Sequence, residues 1–530
     1  MYFCPVKKII IGTRGSDLAL WQANYTKGLI EKLGREVELK IISTEGDRSQ
    51  QWNTGFDKLE GKGFFTKEIE DALLKKEIDL AVHSHKDLPT NSPEGLIIAG
   101  VSEREDPCEL LLIRQEAVDE KQKFNLKQKA VLGTSSSRRK AQFLAIREDV
   151  ALKDLRGNVP TRVKKLREGG YDAILIANAG IERLGLDLSG LHVEKLNPKE
   201  FTPAPAQGVL AWQIRENDSE LENLIARINN EEVQTRINVE RRILNLFEGG
   251  CHMPLGAYCE FDTDENDKPV FKVWVSKADE WDKQPVQLYF ESTLIYDLPE
   301  KIVEKIKNIK PQKIFVTKTF RDKDYLPKAL KRLGFTVEAK SLIEFKEIEF
   351  NIMPVSDWIF FSSKRAVKYF FQQKPNVGKV KFGCISKETA SELRQFGHRA
   401  DFIGQNTDTK FIGKQFSSLA GNAKVLFPVA KESMQSVQMQ LTKKENVINL
   451  PVYQTIKHPA IIDTSTNIVV FTSPSNVDAF FEKNKWQSTY KAVAMGDATE
   501  SALARKGVRR CAKPISFDDL GLVQAILSLS

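Results

Sequence analysis

The residues best suited to catalysis or ligand binding lie where an apolar segment ends in charged side chains. The segment AVHSHKDLP (81–89) reads as a strand that ends in Lys86 and Asp87. In parallel sheets ligands bind at the carboxyl ends of strands, and a carboxylate there can stabilise a developing cation or move a proton. Asp87 is therefore the candidate catalytic residue. The alternative for this aspartate is a turn or helix-capping role.

Arginines recur in the turns that follow other strands or open helices: Arg14, Arg138, Arg139, Arg156, Arg162 and Arg183. A guanidinium group binds a carboxylate through a planar fork of donors, and the free N–H groups of a helix start also attract anions. Two cations in a first helical turn oppose the helix dipole, which an anionic ligand would offset. The pattern predicts a cleft for a ligand with several carboxylates, although any single arginine could be a solvated surface residue.

Cys251 lies in the loop EGGCHMPLG (248–256), directly after two glycines. Glycines remove steric cover, and an exposed thiolate is a strong nucleophile that could hold a covalent group. A free cysteine is also often a small buried hydrophobe. On the residues alone the two interpretations stay open.

Other kinds of site find less support. His83 and His85 share a strand face, but no third ligand accompanies them and the six cysteines form no CxxC pair, so we expect no metal. The basic loop with Lys58 and Lys62 lacks P-loop spacing and reads as a mobile lid or a solvated loop. Aromatic residues do not interleave with the arginines, so we expect no nucleic acid.

Size and composition describe a multidomain globular protein. The chain has 530 residues, 41% of them hydrophobic and 28% charged, and its net charge is +8. This length corresponds to roughly three to five domains. The first residues become charged too soon for a signal peptide, and no apolar run approaches the ~18 residues of a membrane span. We expect a cytoplasmic monomer with no membrane partner.

The order of the elements predicts an α/β multidomain protein. Strand-like and helix-like stretches alternate up to about residue 230, which favours largely parallel sheets, and 231–310 reads as a small α+β module. An internal repeat follows: WIFFSSKRAVKYFF begins at Trp358 and IVVFTSPSNVDAFF at Ile468, so that 468 − 358 = 110. The repeat predicts two similar α/β lobes.

Several of these motifs occur together in one order: TRGSDLALWQ, AVHSHKD, GTSSSRR, LRGNVPTR, PAPAQG and EGGCHMPLG. Across residues 1–310 the chain resembles the hydroxymethylbilane synthase (porphobilinogen deaminase) family. The resemblance implies two periplasmic-binding-protein-like domains, a small α+β domain, a dipyrromethane cofactor on Cys251 and catalysis by Asp87. It implies cofactor binding by Lys86, Ser136, Arg138, Arg139 and Arg156. It implies substrate binding by Arg14, Ser16, Arg162 and Arg183.

Residues 312–530 resemble uroporphyrinogen-III synthase, through FTSPSNVDAFF, PVYQT, MGDATESAL and the repeat. That family has two α/β lobes joined by a two-stranded linker. The resemblance implies that Tyr453 assists loss of the substrate hydroxyl, although Tyr453 could be a core or linker aromatic residue. It implies substrate contacts from Ser363, Thr389, Ser473, Ser475 and Thr499, where the alternative is an ordinary helix cap.

The two resemblances together imply consecutive steps of tetrapyrrole (heme) biosynthesis. Four porphobilinogen molecules would condense with loss of ammonia, and the linear product would close to uroporphyrinogen III with inversion of ring D. The expected domains are 1–106 with 207–230, 107–206, 231–310, 312–345 with 457–530, and 346–456. Two alternatives are a ligand-binding receptor built on paired α/β lobes, and an active deaminase whose C-terminal half is a non-catalytic partner domain.

Overall fold

A computed structural model describes residues 8–44, 66–249, 253–263, 267–321, 324–405, 408–433 and 435–530. Cys251 and the loop with Lys58 and Lys62 lie outside the described residues. The chain forms two compact units. Unit 1 comprises Met1–Gln312, Arg321–Val337 and Ala512–Ser530, and unit 2 comprises Lys313–Phe320 and Glu338–Cys511. No helix among the described residues is long and apolar enough to pass through a bilayer.

The first sheet of unit 1 is mixed, with strand order β2-β1-β3-β10-β4. Its strands are β1 (Ile9–Thr13), β2 (Val37–Ile41), β3 (Leu80–Ser84), β4 (Leu96–Val101) and β10 (Leu210–Arg215). Its helices are α1 (Asp17–Lys32), α2 (Lys67–Leu74) and α6 (Ser219–Ala226). Strand β1 is parallel to β2 and β3, whereas β10 is antiparallel to β3 and β4. The buried side chains of Ile11, Leu80 and Trp212 anchor one face of the sheet.

The second sheet repeats this plan in the order β7-β6-β8-β5-β9. Its strands are β5 (Glu109–Arg114), β6 (Val131–Gly133), β7 (Ala151–Lys153), β8 (Ala173–Ala177) and β9 (Leu191–Leu196). Its helices are α3 (Ser137–Ile146), α4 (Val159–Arg167) and α5 (Asn178–Leu184). Strand β6 is parallel to β7 and β8, and β5 is antiparallel to β8 and β9. The chain enters this sheet through 102–108 and leaves it through 197–209, so two segments join the two sheets.

A smaller antiparallel sheet completes the N-terminal part and is called the three-stranded domain below. Its elements are α7 (Glu231–Leu246), β11 (Leu255–Thr263), β12 (Pro269–Lys277), β13 (Val286–Ser292) and α8 (Leu298–Lys307). Glu240 of α7 is fully buried. It contacts both joining segments and strand β11 of the three-stranded domain. Its carboxylate accepts hydrogen bonds from Arg104 Nη1 at 2.6 Å, Ala206 N at 2.7 Å and Cys259 N at 2.8 Å. Because Arg104 and Ala206 lie in the two joining segments, this carboxylate ties the three-stranded domain to both of them.

Unit 2 contains two sheets that carry the sequence repeat. The centre of one sheet is formed by parallel strands β14 (Lys313–Val316), β22 (Ile468–Phe471) and β23 (Lys491–Ala494), with helices α13 (Pro474–Lys483) and α14 (Asp497–Arg505). The other has the order β16-β21-β20-β17-β18-β19. Its elements are β16 (Ile343–Glu347), β17 (Trp358–Phe361), α10 (Lys364–Gln372), β18 (Lys381–Cys384), α11 (Lys387–Gln395), β19 (Phe402–Ile403), α12 (Thr409–Ala420), β20 (Val425–Ala430) and β21 (Val447–Lys457).

The predicted repeat is confirmed element by element. Strands β17 and β22, helices α10 and α13, strands β18 and β23, and helices α11 and α14 begin at positions that differ by the same interval as Trp358 and Ile468. Strands β16 and β21 pair antiparallel from Ile343↔Lys457 to Glu347↔Tyr453. The remaining elements are β15 (Thr336–Ala339), β24 (Cys511–Ala512), α9 (Tyr325–Arg332) and α15 (Asp519–Leu529). The two helices belong to unit 1.

Candidate active site

A cleft of about 680 Å³ lies between the first and second sheets of unit 1. It is formed by the turn after β1, the end of β3, the first turns of α3 and α4, helix α5, and the joining segment at Gln207. Seven of the residues predicted from the sequence line it: Arg14, Ser16, Lys86, Asp87, Arg139, Arg162 and Arg183. The cleft therefore brings together turns that lie far apart in the chain.

Asp87 is exposed in this cleft on a rigidly held turn. Strand β3 ends at Ser84, and His85–Asp87 forms a single 3₁₀ turn. The His85 N–H donates to the Val209 carbonyl at 2.9 Å, which fixes the turn on the joining segment. From the other side, Arg241 donates to the carbonyl oxygens of His85 at 3.0 Å and Pro89 at 2.5 Å. The carboxylate is thus presented to the cleft by a backbone with little freedom.

Lys86 points to the joining segment, where its Nζ donates to Gln207 Oε1 at 3.3 Å. Burial lowers the pKa of Lys86 to about 8, although the adjacent Asp87 carboxylate acts in the opposite direction. A lysine with this pKa is still largely charged at neutral pH and loses its charge in mildly alkaline solution. Lys86 can therefore act as a pH-sensitive cation beside Asp87.

Arg138 and Arg139 share one buried carboxylate, that of Glu109 at the start of β5. Arg138 Nη2 and Arg139 Nη2 each donate to a different Glu109 oxygen at 2.6 Å. The pKa of Glu109 lies well below its usual range because the two guanidinium groups outweigh burial, which acts in the opposite direction. Arg139 reaches the cleft, whereas Arg138 lies outside its lining and also donates to the Thr202 carbonyl at 3.0 Å.

Arg162 and Arg183 approach the cleft from α4 and α5. Burial, with the positive charge of Arg139, lowers the pKa of Arg162 to about 10. Arg162 Nε donates to the Gly157 carbonyl at 2.7 Å, which holds the guanidinium at the wall of the cleft. Arg183 Nη2 donates to the Gly208 carbonyl at 2.6 Å, and its guanidinium lies 5.7 Å from the centre of the Trp21 ring.

The remaining residues of the predicted set support the cleft or stand outside it. Ser16 lines the cleft and caps α1 by accepting from the Ala19 N–H at 3.4 Å. Ser136 caps α3 by accepting from the Arg139 N–H at 3.5 Å, and it lies outside the lining. Arg156 is half-buried and also lies outside the lining.

Besides Glu109, three further contributors carried no role in the sequence interpretation. Gln207 bridges the cleft to the arginine pair, because its Nε2 donates to Glu109 Oε1 at 3.2 Å while its Oε1 accepts from Lys86. Gln22 donates to Ser84 Oγ at 2.8 Å. Arg241 holds the Asp87 turn. Gln207 belongs to the motif PAPAQG, so its motif was visible; its partners were not, because they lie in distant parts of the sequence.

The described residues around the cleft include no cluster of metal ligands. His83 Nε2 lies 3.1 Å from Gln213 Oε1, and burial lowers the pKa of His83 to about 4. Across the described ranges, no three His, Cys, Asp or Glu side chains gather as metal ligands do.

In unit 2 the predicted hydroxyl residues occupy equivalent positions in the two lobes. Ser363 and Ser473 cap α10 and α13, and they accept from the N–H groups of Ala366 at 3.1 Å and Asn476 at 3.3 Å. Ser475 is half-buried in the first turn of α13. These residues follow the carboxyl ends of β17 and β22, so they stand at matching edges of the two sheets.

Thr389 and Thr499 are buried in the first turns of α11 and α14. Thr499 Oγ1 donates to the Met495 carbonyl at 3.2 Å. Tyr453 lies on β21 and is only 8% exposed; its ring stacks on Tyr369 at 5.3 Å and meets Phe345 edge-on at 5.9 Å. The tyrosine is thus held in an aromatic cluster at the two-stranded connection between the lobes.

Comparison with known proteins gives two matched ranges, one in each half of the chain. Residues 9–223 match the family model "Porphobilinogen deaminase, dipyromethane cofactor binding domain", and residues 324–524 match that of uroporphyrinogen-III synthase HemD. Porphobilinogen deaminase of Oceanobacillus iheyensis is 44% identical over 262 residues, which is 49% of this chain and 82% of that protein.

Two solved structures share less sequence. Uroporphyrinogen-III synthetase of Helicobacter pylori is 19% identical, covers 41% of this chain and 100% of its own, and has a TM-score of 0.32. A periplasmic binding protein of Salmonella typhimurium with high arginine specificity is 10% identical, covers 43% of this chain and 94% of its own, and has a TM-score of 0.27. On the curated relative and the two family models, the chain belongs to the porphobilinogen deaminase family and carries a second enzyme domain, uroporphyrinogen-III synthase, in its C-terminal half.

Proposed function

We propose that this chain condenses four porphobilinogen molecules into hydroxymethylbilane with release of ammonia, and then closes that product to uroporphyrinogen III with inversion of ring D. The observation that carries the first step is the cleft that Asp87 lines together with Arg14, Arg139, Arg162 and Arg183. Porphobilinogen is a pyrrole with an aminomethyl arm and two carboxylates. The cleft offers the Asp87 carboxylate for the ring and several cations for its side chains.

The donors of the cleft fit the dipyrromethane that the family model names. The Nε atoms of Arg139 and Arg183 are buried, and neither has a hydrogen-bond acceptor among the described residues. Unsatisfied buried donors are costly, so a ligand with carboxylates would stabilise them. Lys86, Arg139 and the α3 start capped by Ser136 would hold the group, with Arg138 and Arg156 supporting from outside the lining. When bound, it would supply the free pyrrole carbon at which chain growth starts.

The role of Asp87 follows from its position and charge. Loss of ammonia from porphobilinogen leaves a cation on the substrate pyrrole. A carboxylate held at the pyrrole N–H groups stabilises that charge as it forms, and the fixed 85–89 turn means that little reorganisation is required. Asp87 is therefore proposed as the catalytic residue of the condensation.

The arginines act by binding and orientation. Guanidinium groups that hold the acetate and propionate side chains of a ring fix the reacting carbon relative to Asp87, and such orientation can supply several kcal/mol of the barrier reduction. We assign this role to Arg14, Arg162 and Arg183, with Ser16 as a hydroxyl partner. We assign the covalent attachment of the dipyrromethane to Cys251, so that intermediates are retained between additions.

For the second step, we assign Tyr453 to the loss of the bilane hydroxyl and Ser363, Thr389, Ser473, Ser475 and Thr499 to substrate contacts. The supporting observation is their arrangement at the matching strand ends of the two lobes and at the connection between them. The competing function is that of a non-catalytic partner domain. The capping hydrogen bonds of Ser363 and Ser473 are equally compatible with that function. We further propose the five-domain division given above, a monomer and a cytoplasmic location.

A product assay tests both steps at once. The full chain is supplied with porphobilinogen, and the uroporphyrinogen isomers are separated after oxidation. Production of the type III isomer supports both activities. Production of the type I isomer alone would support the deaminase activity. It would refute the synthase activity and favour a non-catalytic partner domain in the C-terminal half. Absence of any bilane would refute the proposal for unit 1.

A further inference from the structure

Two helices from the C-terminal half pack against the deaminase part of unit 1. Helices α9 and α15 begin within residues 324–524, the range matched by the synthase model, yet both belong to unit 1. Helix α15 contacts strand β13 of the three-stranded domain as well as α9. Residues 521–527 of α15 are all buried, and seven consecutive residues make almost two helical turns. Every side of this helix is therefore covered.

Tyr325 makes the contact specific. Its hydroxyl donates to Gln287 Oε1 at 3.1 Å and accepts from Gln284 Nε2 at 3.3 Å. Gln287 is 4% exposed and Leu288 is fully buried. Because successive strand residues point to opposite faces, β13 is covered on both faces at this point. Burial also raises the pKa of Tyr325, as expected for a hydroxyl enclosed by protein.

Charged contacts extend this surface. Glu148, which follows α3 in the second sheet's domain, accepts hydrogen bonds from Lys328 and Arg332 of α9. Those bonds lower the pKa of the Glu148 carboxyl. Lys305 of α8 donates to the Ser530 carbonyl at 2.5 Å. Exposed ion pairs stabilise little by themselves, so their value here is to fix the register of the two helices on a surface that is held mainly by burial.

We propose that α9 and α15 are a structural part of the folded deaminase, so that the stability of the three-stranded domain depends on residues of the synthase segment. A chain cut after residue 312 would expose apolar surface along β13 and leave the Tyr325 partners Gln284 and Gln287 without their hydroxyl. The fusion then couples the two enzymes through folding. This inference rests on packing and does not depend on the proposed catalytic roles.

Hydrogen exchange of the full chain tests the contact directly. Tyr325→Phe removes one hydroxyl and keeps the ring, and Tyr369→Phe is the matched control, because its hydroxyl donates to the Phe345 carbonyl within unit 2 at 2.9 Å. We expect exchange of the amides of 286–292 to accelerate about fivefold or more in Tyr325→Phe and to stay unchanged in Tyr369→Phe. Unchanged exchange in Tyr325→Phe, or equal acceleration in both variants, would overturn the proposal.

Thermal inactivation provides a second measurement. Leu522 of α15 and Leu393 of α11 are both fully buried, so Leu522→Ala and Leu393→Ala remove the same group from unit 1 and unit 2. We expect Leu522→Ala to shorten the half-life of deaminase activity at elevated temperature at least tenfold, and Leu393→Ala to leave it near wild type. A Leu522→Ala chain without deaminase activity beside an active Leu393→Ala chain gives the same support. Equal loss in both variants, or loss in neither, contradicts it.

Discussion

The two enzyme regions of this chain present different kinds of residues to closely related substrates. The cleft of unit 1 presents fixed charges: the exposed carboxylates of Asp17 and Asp87, a lysine with a lowered pKa, and arginines held by hydrogen bonds to protein acceptors. In unit 2 the corresponding residues are small hydroxyls at helix starts and a tyrosine in an aromatic cluster. Condensation must create a cation from a stable amine, whereas ring closure starts from a bilane that is already reactive. Charge is therefore concentrated where the chemistry is harder.

The largest expected effect concerns Cys251. Cys251→Ala should abolish bilane formation and remove a dipyrrole from the intact mass of the purified chain, because it removes the thiol to which we assign the attachment. Burial raises the pKa of the Cys108, Cys259 and Cys384 thiols, the last to about 12, so none of these three is a nucleophile at neutral pH. Mass spectrometry decides the matter: an unchanged adduct in the variant would remove Cys251 from the anchor role.

Asp87→Asn comes next and separates charge from shape in the cleft. The amide keeps the size of the side chain but cannot stabilise a cation as a carboxylate does, so bilane formation should fall by about 10³-fold. Circular dichroism and synthase activity on added bilane should match wild type, because Asp87 is exposed and lies in unit 1. Near-normal turnover of porphobilinogen would exclude the proposed role.

Glu109→Gln tests how the cleft arginines are held. Loss of the buried charge leaves Arg138 and Arg139 without their shared counterion, which should lower the free energy of unfolding by about 3–5 kcal/mol. Because the folded-state pKa of Glu109 is lowered, its contribution is present above the usual carboxyl pKa and lost as the pH falls. Denaturant unfolding at neutral and acidic pH measures both effects. A variant as stable as wild type at neutral pH would show that the carboxylate is dispensable.

The pH dependence of the condensation gives a smaller effect. With a pKa of about 8, Lys86 loses its positive charge as the pH rises through that value. Because we assign Lys86 to holding the dipyrromethane beside Asp87, the rate of bilane formation should fall several-fold between about pH 7 and 9. Lys86→Arg keeps the charge over this range and should flatten the profile. Steady-state kinetics of both proteins would settle this point, and identical profiles would rule out Lys86 as the source.

The smallest effect is expected in unit 2. If shape and backbone contacts carry ring closure, Tyr453→Phe should reduce the rate of type III formation from added bilane by no more than about tenfold. Tyr369→Phe, which alters the stacked partner, is the control. A loss of several orders of magnitude in Tyr453→Phe alone would mean that unit 2 relies on one acid–base group after all, and the contrast between the two regions would be weaker.

Much of the architecture could be predicted because it depends on local patterns. The constant spacing of the repeat predicted matched lobes, and the charged strand ends and arginine-bearing turns identified seven of the residues that line the cleft. The expectation of largely parallel sheets needs correction, because β10 is antiparallel to β3 and β4, and β5 is antiparallel to β8 and β9. These strands adjoin the segments that join the sheets, and pairing direction after such long connections is not encoded in their apolar composition.

The partners of the arginines could not be predicted in the same way. Glu109 stands at the head of the apolar strand LLLI, where its charge alone gives no hint of two guanidinium groups on a later helix. Gln207 joins Lys86 to Glu109, although it lies far from both in the sequence. Such contacts depend on how complete sheets pack, and local sequence patterns do not reveal them.

The near-duplication of the lobes in unit 2 limits how they can recognise a bilane. Two lobes with the same binding surface cannot by themselves distinguish the first ring of the asymmetric bilane from its last ring. Ser363 and Ser473 are equivalent, as are Thr389 and Thr499. The orientation of the bilane must therefore be recognised at positions where the two lobes differ. Arg365 and Ser475 occupy one such pair of equivalent positions: the first lobe has a cation, placed over the Phe345 ring, where the second has a neutral hydroxyl. Within the repeat, each residue of one lobe thus has an internal reference in the other.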